Sequence, residues 1–227
     1  VQASATFLDQ RSGLQAHLDG DGELASTKAV ALILHGGKEN SVEPVTARQA
    51  TVLRMLPFAR HLVAVGAEHG LAVWRLRFRY RGWNNAAEHP MEDVQWALRN
   101  LRMRHGGAPI IVVGHSMGGR AALRAAGEPD VAGVLALAPW LPAGEPFHQI
   151  AGRRLLVVHG MKDRITSAER SRELVRAVRP TAAEAAYIAL RRCGHPMLRR
   201  VRLWNRLGVG FVLHAGLGLE PSKLLAG

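Results

Sequence analysis

A serine stands between two glycines in the segment 114–118, which reads Gly-His-Ser-Met-Gly. The segment follows a continuous apolar run and precedes a helical pattern. In that context it is typical of a sharp strand-to-helix turn that exposes the serine hydroxyl. An incidental serine in a glycine-rich turn is the alternative interpretation. We predict that Ser116 is a nucleophile and that the backbone N–H of Met117 points to where an oxyanion forms.

A serine hydroxyl is a poor nucleophile until a base takes its proton. Among 11 histidines, His195 follows a late predicted strand and precedes the last predicted helix, which puts it at the same sheet edge as Ser116. His115 only flanks the nucleophile. His35 and His159 also end strands, but each precedes a glycine that is expected to shape a turn. We therefore predict that His195 is the base.

An acid is needed to fix the tautomer of the base and to stabilise its cation. Asp163 lies in a loop just past the predicted strand 155–158. A solvated loop residue or a helix N-cap is the alternative interpretation, because aspartate is common at both. The chain order Ser116, Asp163, His195 is one of the orders known for such triads. We predict that Asp163 is the acid.

The second oxyanion donor is expected in the loop after the first core strand, which reads His-Gly-Gly-Lys at 35–38. Glycines let a backbone approach a ligand closely. We predict the N–H of Gly37 as this donor, with Lys38 as the alternative. Glycines that only form a tight turn would explain the same pattern.

The elements that must position these residues alternate along the chain. Short apolar runs predict strands, and longer stretches with helical periodicity lie between them. This alternation predicts an α/β protein with a mostly parallel central sheet and helices on both faces, in a single domain of residues 1–227. Residues 1–28 are expected to add edge strands. The predicted strands are 29–34, 71–80, 109–113, 131–137, 155–158 and 185–190; the predicted helices lie near 46–68, 90–104, the Ser116 segment to 126, 167–178 and 198–214.

Composition excludes several classes. The 227 residues are 48% hydrophobic with a formal charge of +12, and arginine supplies 26 of the 30 basic residues. The arginines are scattered, and the alternating run 74–81 reads as a strand, so we expect no nucleic-acid partner. No apolar run has the length of a membrane span, so no membrane partner is expected, and no secretory signal is visible, which favours the cytoplasm. The single cysteine, Cys193, permits no intrachain disulfide and no cysteine metal cluster.

Together these segments resemble the α/β-hydrolase superfamily, and within it the small bacterial esterases and dienelactone-hydrolase-like proteins. The resemblance implies the α/β-hydrolase fold and hydrolysis of small-molecule carboxylic esters through an acyl-enzyme on Ser116, without metal or organic cofactor. Dienelactone hydrolases proper carry a cysteine nucleophile, whereas position 116 is serine. The matching segments are 35–37, 77–82, 114–119, 159–160 with Asp163, and 194–195.

Many members of the superfamily carry a helical cap between the sixth and seventh strands. Here only residues 138–153 separate those strands, which predicts no sizeable cap and an open site. Trp140 and Leu141 in this loop are expected to form a pocket wall, with Lys38 and His115 as further pocket candidates. Arg79, Arg81 and Trp83 are expected at the rim, where they would favour an anionic substrate.

Other functions remain open on the sequence. The same triad serves a thioesterase, an amidase or an acyltransferase. A hydrolase-fold binding protein without catalysis is an alternative of another class, because a fold alone does not establish function. The substrate and the oligomeric state are not predicted.

Overall fold

The computed structural model describes residues 2–21 and 26–220, and these residues form one eight-stranded sheet in the order β1-β2-β4-β3-β5-β6-β7-β8. β1 pairs with β2, and β2 with β4, in antiparallel fashion. The neighbours from β4 to β8 pair in parallel. The strands are β1 Gln2–Leu8, β2 Gln15–Asp21, β3 Ala29–Leu34, β4 Leu71–Arg77, β5 Ile110–His115, β6 Val131–Leu137, β7 Arg154–Gly160 and β8 Glu184–Leu190.

Helices cover both faces of the sheet, as predicted. One face packs against the second and last helices through Phe58, Leu62 and Trp204. The other face packs against the helices between, through residues such as Val94 and Leu174. Strands covered on both faces are buried at every position, which explains the continuous apolar runs 29–34 in β3 and 110–113 in β5. The helices are α1 Ala50–Leu53, α2 Leu56–Gly66, α3 His89–His105, α4 Met117–Arg124, α5 Ala168–Val178 and α6 Val201–Leu217, with 3₁₀ turns at Ala67–His69, Asn85–Ala87, Ala125–Gly127 and His148–Ile150.

Three predicted elements differ from the structure by a break or by three residues or more at one end. The strand predicted over 71–80 ends at Arg77, because Phe78 N–H donates to His35 Nε2 at 3.1 Å, outside the strand ladder. The helix predicted over 46–68 is split in two, and Pro57 lies in the first turn of α2. The last helix starts at Val201 because Arg200 has a left-handed φ of 58°.

The connection between β6 and β7 carries only the 3₁₀ turn His148–Ile150. The absence of a sizeable cap, predicted from the length of this loop, is confirmed. Strands β3, β5, β6 and β7 therefore end at an edge that no inserted domain covers. Within 2–21 and 26–220, no helix is both long and apolar enough to cross a bilayer.

Candidate active site

Ser116 stands at the turn between β5 and α4 with φ 56° and ψ −118°. A non-glycine residue in this left-handed region is strained, as expected of a nucleophile at a sharp elbow. The strand and the helix cross so closely that a Cβ at Gly114 would overlap the carbonyl oxygen of Gly118, and one at Gly118 would lie 2.5 Å from His35 O. The flanking glycines are therefore required by packing.

The three side chains predicted as nucleophile, base and acid form one hydrogen-bonded row. Ser116 Oγ lies 3.0 Å from His195 Nε2, and His195 Nδ1 lies 2.8 Å from Asp163 Oδ2. With the Nδ1 proton donated to the carboxylate, Nε2 is free to accept the serine proton. Ser116 and His195 are each 8% exposed, so both remain reachable from solvent. The structure thus brings the three residues together, and their catalytic roles remain predictions.

The Asp163 carboxylate is oriented by its own loop. Its Oδ1 accepts hydrogen bonds from the backbone N–H groups of Ile165, at 2.8 Å, and Thr166, at 3.0 Å. Burial alone would raise the pKa of Asp163, but these backbone bonds and the contact with His195 outweigh it and lower the pKa. Asp163 is therefore held as the anion that a neighbouring imidazolium requires.

Two further side chains meet at Asp163, and sequence reasoning missed both. Thr166 Oγ1 lies 2.9 Å from Asp163 Oδ2 and 3.2 Å from His195 Nδ1. His159 Nε2 lies 3.2 Å from the same Oδ2, and its Nδ1 is 2.8 Å from Ser171 Oγ. His159 ends β7 and Asp163 lies in the following loop, so their four-residue spacing is not a helical one and predicts no contact. The contact depends on the path of the loop after Gly160.

The two predicted oxyanion donors adjoin. A Cβ at Gly37 would lie 2.5 Å from Met117 Cε, so the Met117 side chain packs directly on Gly37. Neither the Gly37 N–H nor the Met117 N–H hydrogen-bonds to any other described residue. The Lys38 alternative is wrong, because the Lys38 N–H donates to Arg81 O at 2.7 Å. Lys38 also has an exposed side chain.

A model of the alpha/beta hydrolase family matches residues 31–216. The chain belongs to this family. No curated protein matches it.

Among solved structures, XC6422 from Xanthomonas campestris, a serine hydrolase without lid, is 20% identical with a TM-score of 0.69, over 97% of each chain. Est1E from Butyrivibrio proteoclasticus is 15% identical with a TM-score of 0.67, over 93% of this chain and 98% of its own. An alpha-beta serine hydrolase homologue from Coxiella burnetii is 19% identical with a TM-score of 0.66, over 90% and 95%. At these identities the likeness shows the fold.

In this α/β hydrolase, His115 is buried against His195 and does not line an open pocket. Its ring is 1% exposed and lies 4.9 Å from the His195 ring. His115 Nε2 donates to His195 O at 2.9 Å. Burial lowers the pKa of His115 to about 3, so this imidazole stays neutral. Its expected place in the substrate pocket is corrected to a place beneath the base.

Trp140 adjoins the nucleophile through its backbone, since its N–H donates to Ser116 O at 3.1 Å. Its ring packs against Arg120, whose guanidinium lies 4.7 Å from the Trp140 centroid and 3.8 Å from that of Trp83. Arg120 Nε also pairs with Glu145 at 2.6 Å. Burial raises the pKa of Glu145, against the opposing effect of Arg120. This cluster anchors loop 138–153 on the helix of the nucleophile, and Trp83 is buried within it.

Leu141 is buried at a different place from the one predicted. Its carbonyl accepts from Arg170 Nη1 at 2.8 Å. Its side chain lines a groove of about 340 Å³ between loop 138–153 and α5, together with Phe147 and Leu174. Leu141 therefore joins the loop to α5.

The two arginines predicted at the rim of the site both form ion pairs with acidic side chains. Arg79 is 2% exposed and pairs with Asp93 at 2.5 Å and with Asp9 at 3.1 Å. Arg81 pairs with Glu43 at 2.5 Å and donates to Pro44 O at 3.1 Å. The expected position of Arg79 is corrected, because acidic partners from distant segments hold its guanidinium group inside the protein. Arg81 lies beside the predicted oxyanion loop, since its carbonyl accepts the Lys38 N–H, and its place at the rim stays a prediction.

The residues that the structure describes contain no group of three or more His, Cys, Asp or Glu side chains arranged to hold a metal ion. The donor side chains nearest Ser116 are instead arranged in a row, each hydrogen-bonded to the next. Such a row suits proton transfer between oxygen and nitrogen.

Proposed function

We propose that this α/β hydrolase cleaves carboxylic esters of small molecules through an acyl-enzyme on Ser116. The observation that carries the proposal is the hydrogen-bonded row Ser116–His195–Asp163, with distances of 3.0 Å and 2.8 Å. In the first step His195 takes the Ser116 proton while Oγ attacks the ester carbonyl carbon. The N–H groups of Met117 and Gly37 bind the oxyanion. His195 then gives the proton to the leaving alcohol.

The second step releases the acid. His195 removes a proton from water, the resulting hydroxide adds to the acyl carbon, and the bond to Ser116 Oγ breaks as Oγ regains a proton. Asp163 stabilises the imidazolium in both steps because it stays anionic. The open edge, without a cap, suits esters of small molecules. Ferulic acid, a carboxylic acid, is bound to Est1E in one solved structure, which supports an acid product of this class for the present chain.

The test compares the wild type with Ser116→Ala on a panel of p-nitrophenyl esters, thioesters and amides of varied acyl length. We expect ester turnover to fall by about 10³-fold or more in the variant, as for other serine nucleophiles. Ser4→Ala, an exposed position on the edge strand β1, is the matched control and is expected to keep wild-type rates. A fluorophosphonate probe is expected to label the wild type and Ser4→Ala but not Ser116→Ala.

Each arm of the panel separates one alternative. Faster turnover of thioesters or amides than of esters would replace the ester assignment. A rise in transesterified product with added alcohol would indicate an acyltransferase. Equal and background-level rates for wild type and Ser116→Ala, with no labelling, would contradict catalysis and favour a binding protein of this fold.

A further inference from the structure

A loop after β7 and a second segment, which ends in the first turn of α6, expose apolar side chains next to cations at the carboxyl edge of the sheet. Segment 161–165 reads Met-Lys-Asp-Arg-Ile, and its Met161 and Ile165 are 60% and 71% exposed. Segment 198–203 reads Leu-Arg-Arg-Val-Arg-Leu, and its Leu198 is 70% exposed. Exposed apolar side chains that gather on one surface and are bordered by polar residues mark interaction sites with proteins or membranes.

The two segments adjoin through the loop that follows β8. Met161 N–H donates to Leu190 O at 3.0 Å, and Lys162 N–H donates to Cys193 O at 2.9 Å. Cys193 Sγ in turn donates to Arg199 O at 3.3 Å. The two segments thus lie side by side, and we call their exposed side chains the basic rim. It consists of Met161, Lys162, Arg164, Ile165, Arg191, Arg192, Leu198, Arg199, Arg200, Arg202 and Leu203.

The charge of the basic rim is uncompensated. None of its seven cations forms an ion pair with a residue in 2–21 or 26–220, whereas Arg79, Arg81 and Arg120 all do. The sequence from 191 to 219 contains six arginines and no aspartate or glutamate. The one acidic residue in segment 161–165 is Asp163, whose carboxylate is turned inward to His195. An anionic partner would meet only positive charge here.

The combination of exposed apolar tips and unpaired cations discriminates among anionic partners. Single-stranded nucleic acid is bound through aromatic stacking platforms, and the rim contains no aromatic residue. Protein interfaces bury a contiguous apolar core, whereas these aliphatic side chains are separated by arginines. An anionic lipid surface can bind both kinds of side chain in the rim. Its headgroups attract the cations, and the boundary between headgroups and acyl chains takes up the exposed aliphatic side chains. We propose that the basic rim docks this protein on an anionic lipid surface.

This proposal revises the expectation of no membrane partner. That expectation came from the lack of a spanning apolar run, and peripheral contact needs no span. Docking does not depend on the chemistry at Ser116. Should the proposed function also hold, Asp163 and His195 lie in the very loops that carry the rim, so esters of amphiphiles in the lipid surface would be the substrate class.

The experiment is cosedimentation of the full chain with vesicles of phosphatidylcholine alone or mixed with phosphatidylglycerol. We expect binding to the mixed vesicles at 50 mM salt, strong weakening at 500 mM, and no binding to phosphatidylcholine alone. Each arginine near such a surface contributes about fivefold to partitioning, so Arg199→Gln/Arg200→Gln is expected to weaken binding about 30-fold. Leu198→Asn is expected to weaken it about tenfold without a change in charge.

The matched controls carry the same substitutions at the opposite sheet edge. Arg176→Gln/Arg179→Gln removes two exposed, unpaired arginines near the end of α5, and Met103→Asn removes a 77% exposed side chain on α3. Both are expected to bind vesicles as the wild type does, and so is Ser116→Ala. Circular dichroism and thermal melting check that each variant is folded.

Three outcomes would overturn the proposal. One is failure of the wild type to bind mixed vesicles at 50 mM salt. Another is equal loss in Arg176→Gln/Arg179→Gln, which would indicate a net-charge effect only. The third is binding that Leu198→Asn leaves unchanged and that soluble poly-glutamate or DNA matches in affinity, which would indicate an acidic macromolecule instead. Because Ser116→Ala is expected to lose ester turnover but keep vesicle binding, failure of the proposed function and failure of the docking proposal can be distinguished.

Discussion

At the scale of single residues, one carboxylate oxygen of Asp163 contacts two imidazole rings. Its Oδ2 lies 2.8 Å from His195 Nδ1 and 3.2 Å from His159 Nε2. The His159 ring is fully buried and is held from its other side by Ser171. Burial lowers the pKa of His159 despite the nearby carboxylate, so the ring stays neutral. We interpret His159 as a positioning residue that restrains the carboxylate facing His195.

Replacing His159 separates this positioning role from simple packing. His159→Leu removes the polar contact, and we expect kcat on an ester to fall about 10- to 100-fold with little change in KM, because the carboxylate loses its orientation. His159→Gln retains an N–H donor and is expected to stay within about threefold of the wild type. Steady-state kinetics with thermal melts as a folding check measure both. An equal loss in the two variants would contradict the positioning role.

Ser116, Asp163 and His195 were predictable because each follows a strand, and strand ends meet at one sheet edge. The contacts of His159 and Thr166 were not predictable in the same way, because they depend on the path of the loop from Gly160. A Cβ at Gly160 would overlap the Cys193 carbonyl oxygen, so two loops must meet before these side chains converge. Arg79 was misplaced for a similar reason. Its partner Asp93 lies 14 residues away on α3.

At the scale of elements, α6 contains two glycines whose surroundings differ. A Cβ at Gly208 would lie 2.7 Å from Phe58 Cε2 and 3.0 Å from Leu135 Cδ2. A Cβ at Gly210 would meet nothing within 4 Å. Both glycines lie inside the helix, where glycine is less favourable than alanine.

These surroundings predict opposite effects for one substitution. Gly210→Ala is expected to raise the free energy of unfolding by about 0.5–1 kcal/mol, because the helix gains propensity without a clash. Gly208→Ala is expected to lower it by about 1–3 kcal/mol, because the new methyl group forces Phe58 and Leu135 away from α6. Urea unfolding followed by circular dichroism measures both. Stabilisation by Gly208→Ala would show that α6 can move away from the sheet at little cost.

Arg79 joins the turn after β1 to α3 inside the protein. It pairs with Asp93, which is 0% exposed, and with Asp9. Arg79→Leu would leave the Asp93 carboxylate buried without its cation, so we expect a loss of about 3–5 kcal/mol in unfolding free energy. Arg79→Leu/Asp93→Leu removes both charges and is expected to recover part of that loss. Equal stability of the single and double variants would contradict this account.

Element prediction from sequence was accurate where an apolar run is buried on both faces. Strands 29–34 and 131–137 have the predicted bounds. Prediction failed where a tertiary contact ends an element, as when His35 takes the Phe78 N–H that would have continued β4. The predicted start of α6 was wrong because Arg200 adopts a left-handed φ, which no residue type in the segment requires.

At the scale of the whole molecule, the sheet holds neutral histidines in its interior. Burial lowers the pKa of His35 to about 4 and that of His115 to about 3. His35 donates from Nδ1 to Gly36 O and accepts from Phe78 N–H, so its neutral form fits its partners. Asp93 is shifted in the opposite sense, since burial raises its pKa to about 6. The fold therefore couples stability to pH through buried groups of both kinds.

His115 makes the folded protein less stable as the pH falls. Between pH 6.5 and about 3 the unfolded chain protonates this histidine and the folded chain does not. The free energy of unfolding therefore falls as pH is lowered through that range, by about 1.4 kcal/mol per pH unit for one proton. His35 acts in the same direction. Asp93 opposes them below about pH 6, since the folded state keeps a proton that the unfolded state releases.

The variant His115→Gln removes the contribution of His115 to the pH dependence of the unfolding free energy. Glutamine preserves an N–H donor toward His195 O but does not titrate. Urea unfolding from pH 8 to pH 4.5 is expected to give wild-type and variant curves with a constant offset above pH 7. Below pH 6 the wild type should lose stability faster by about 1.4 kcal/mol per pH unit. Parallel curves over the whole range would mean that His115 is protonated in the folded protein, and that its ring is more accessible to water than its burial beneath His195 implies.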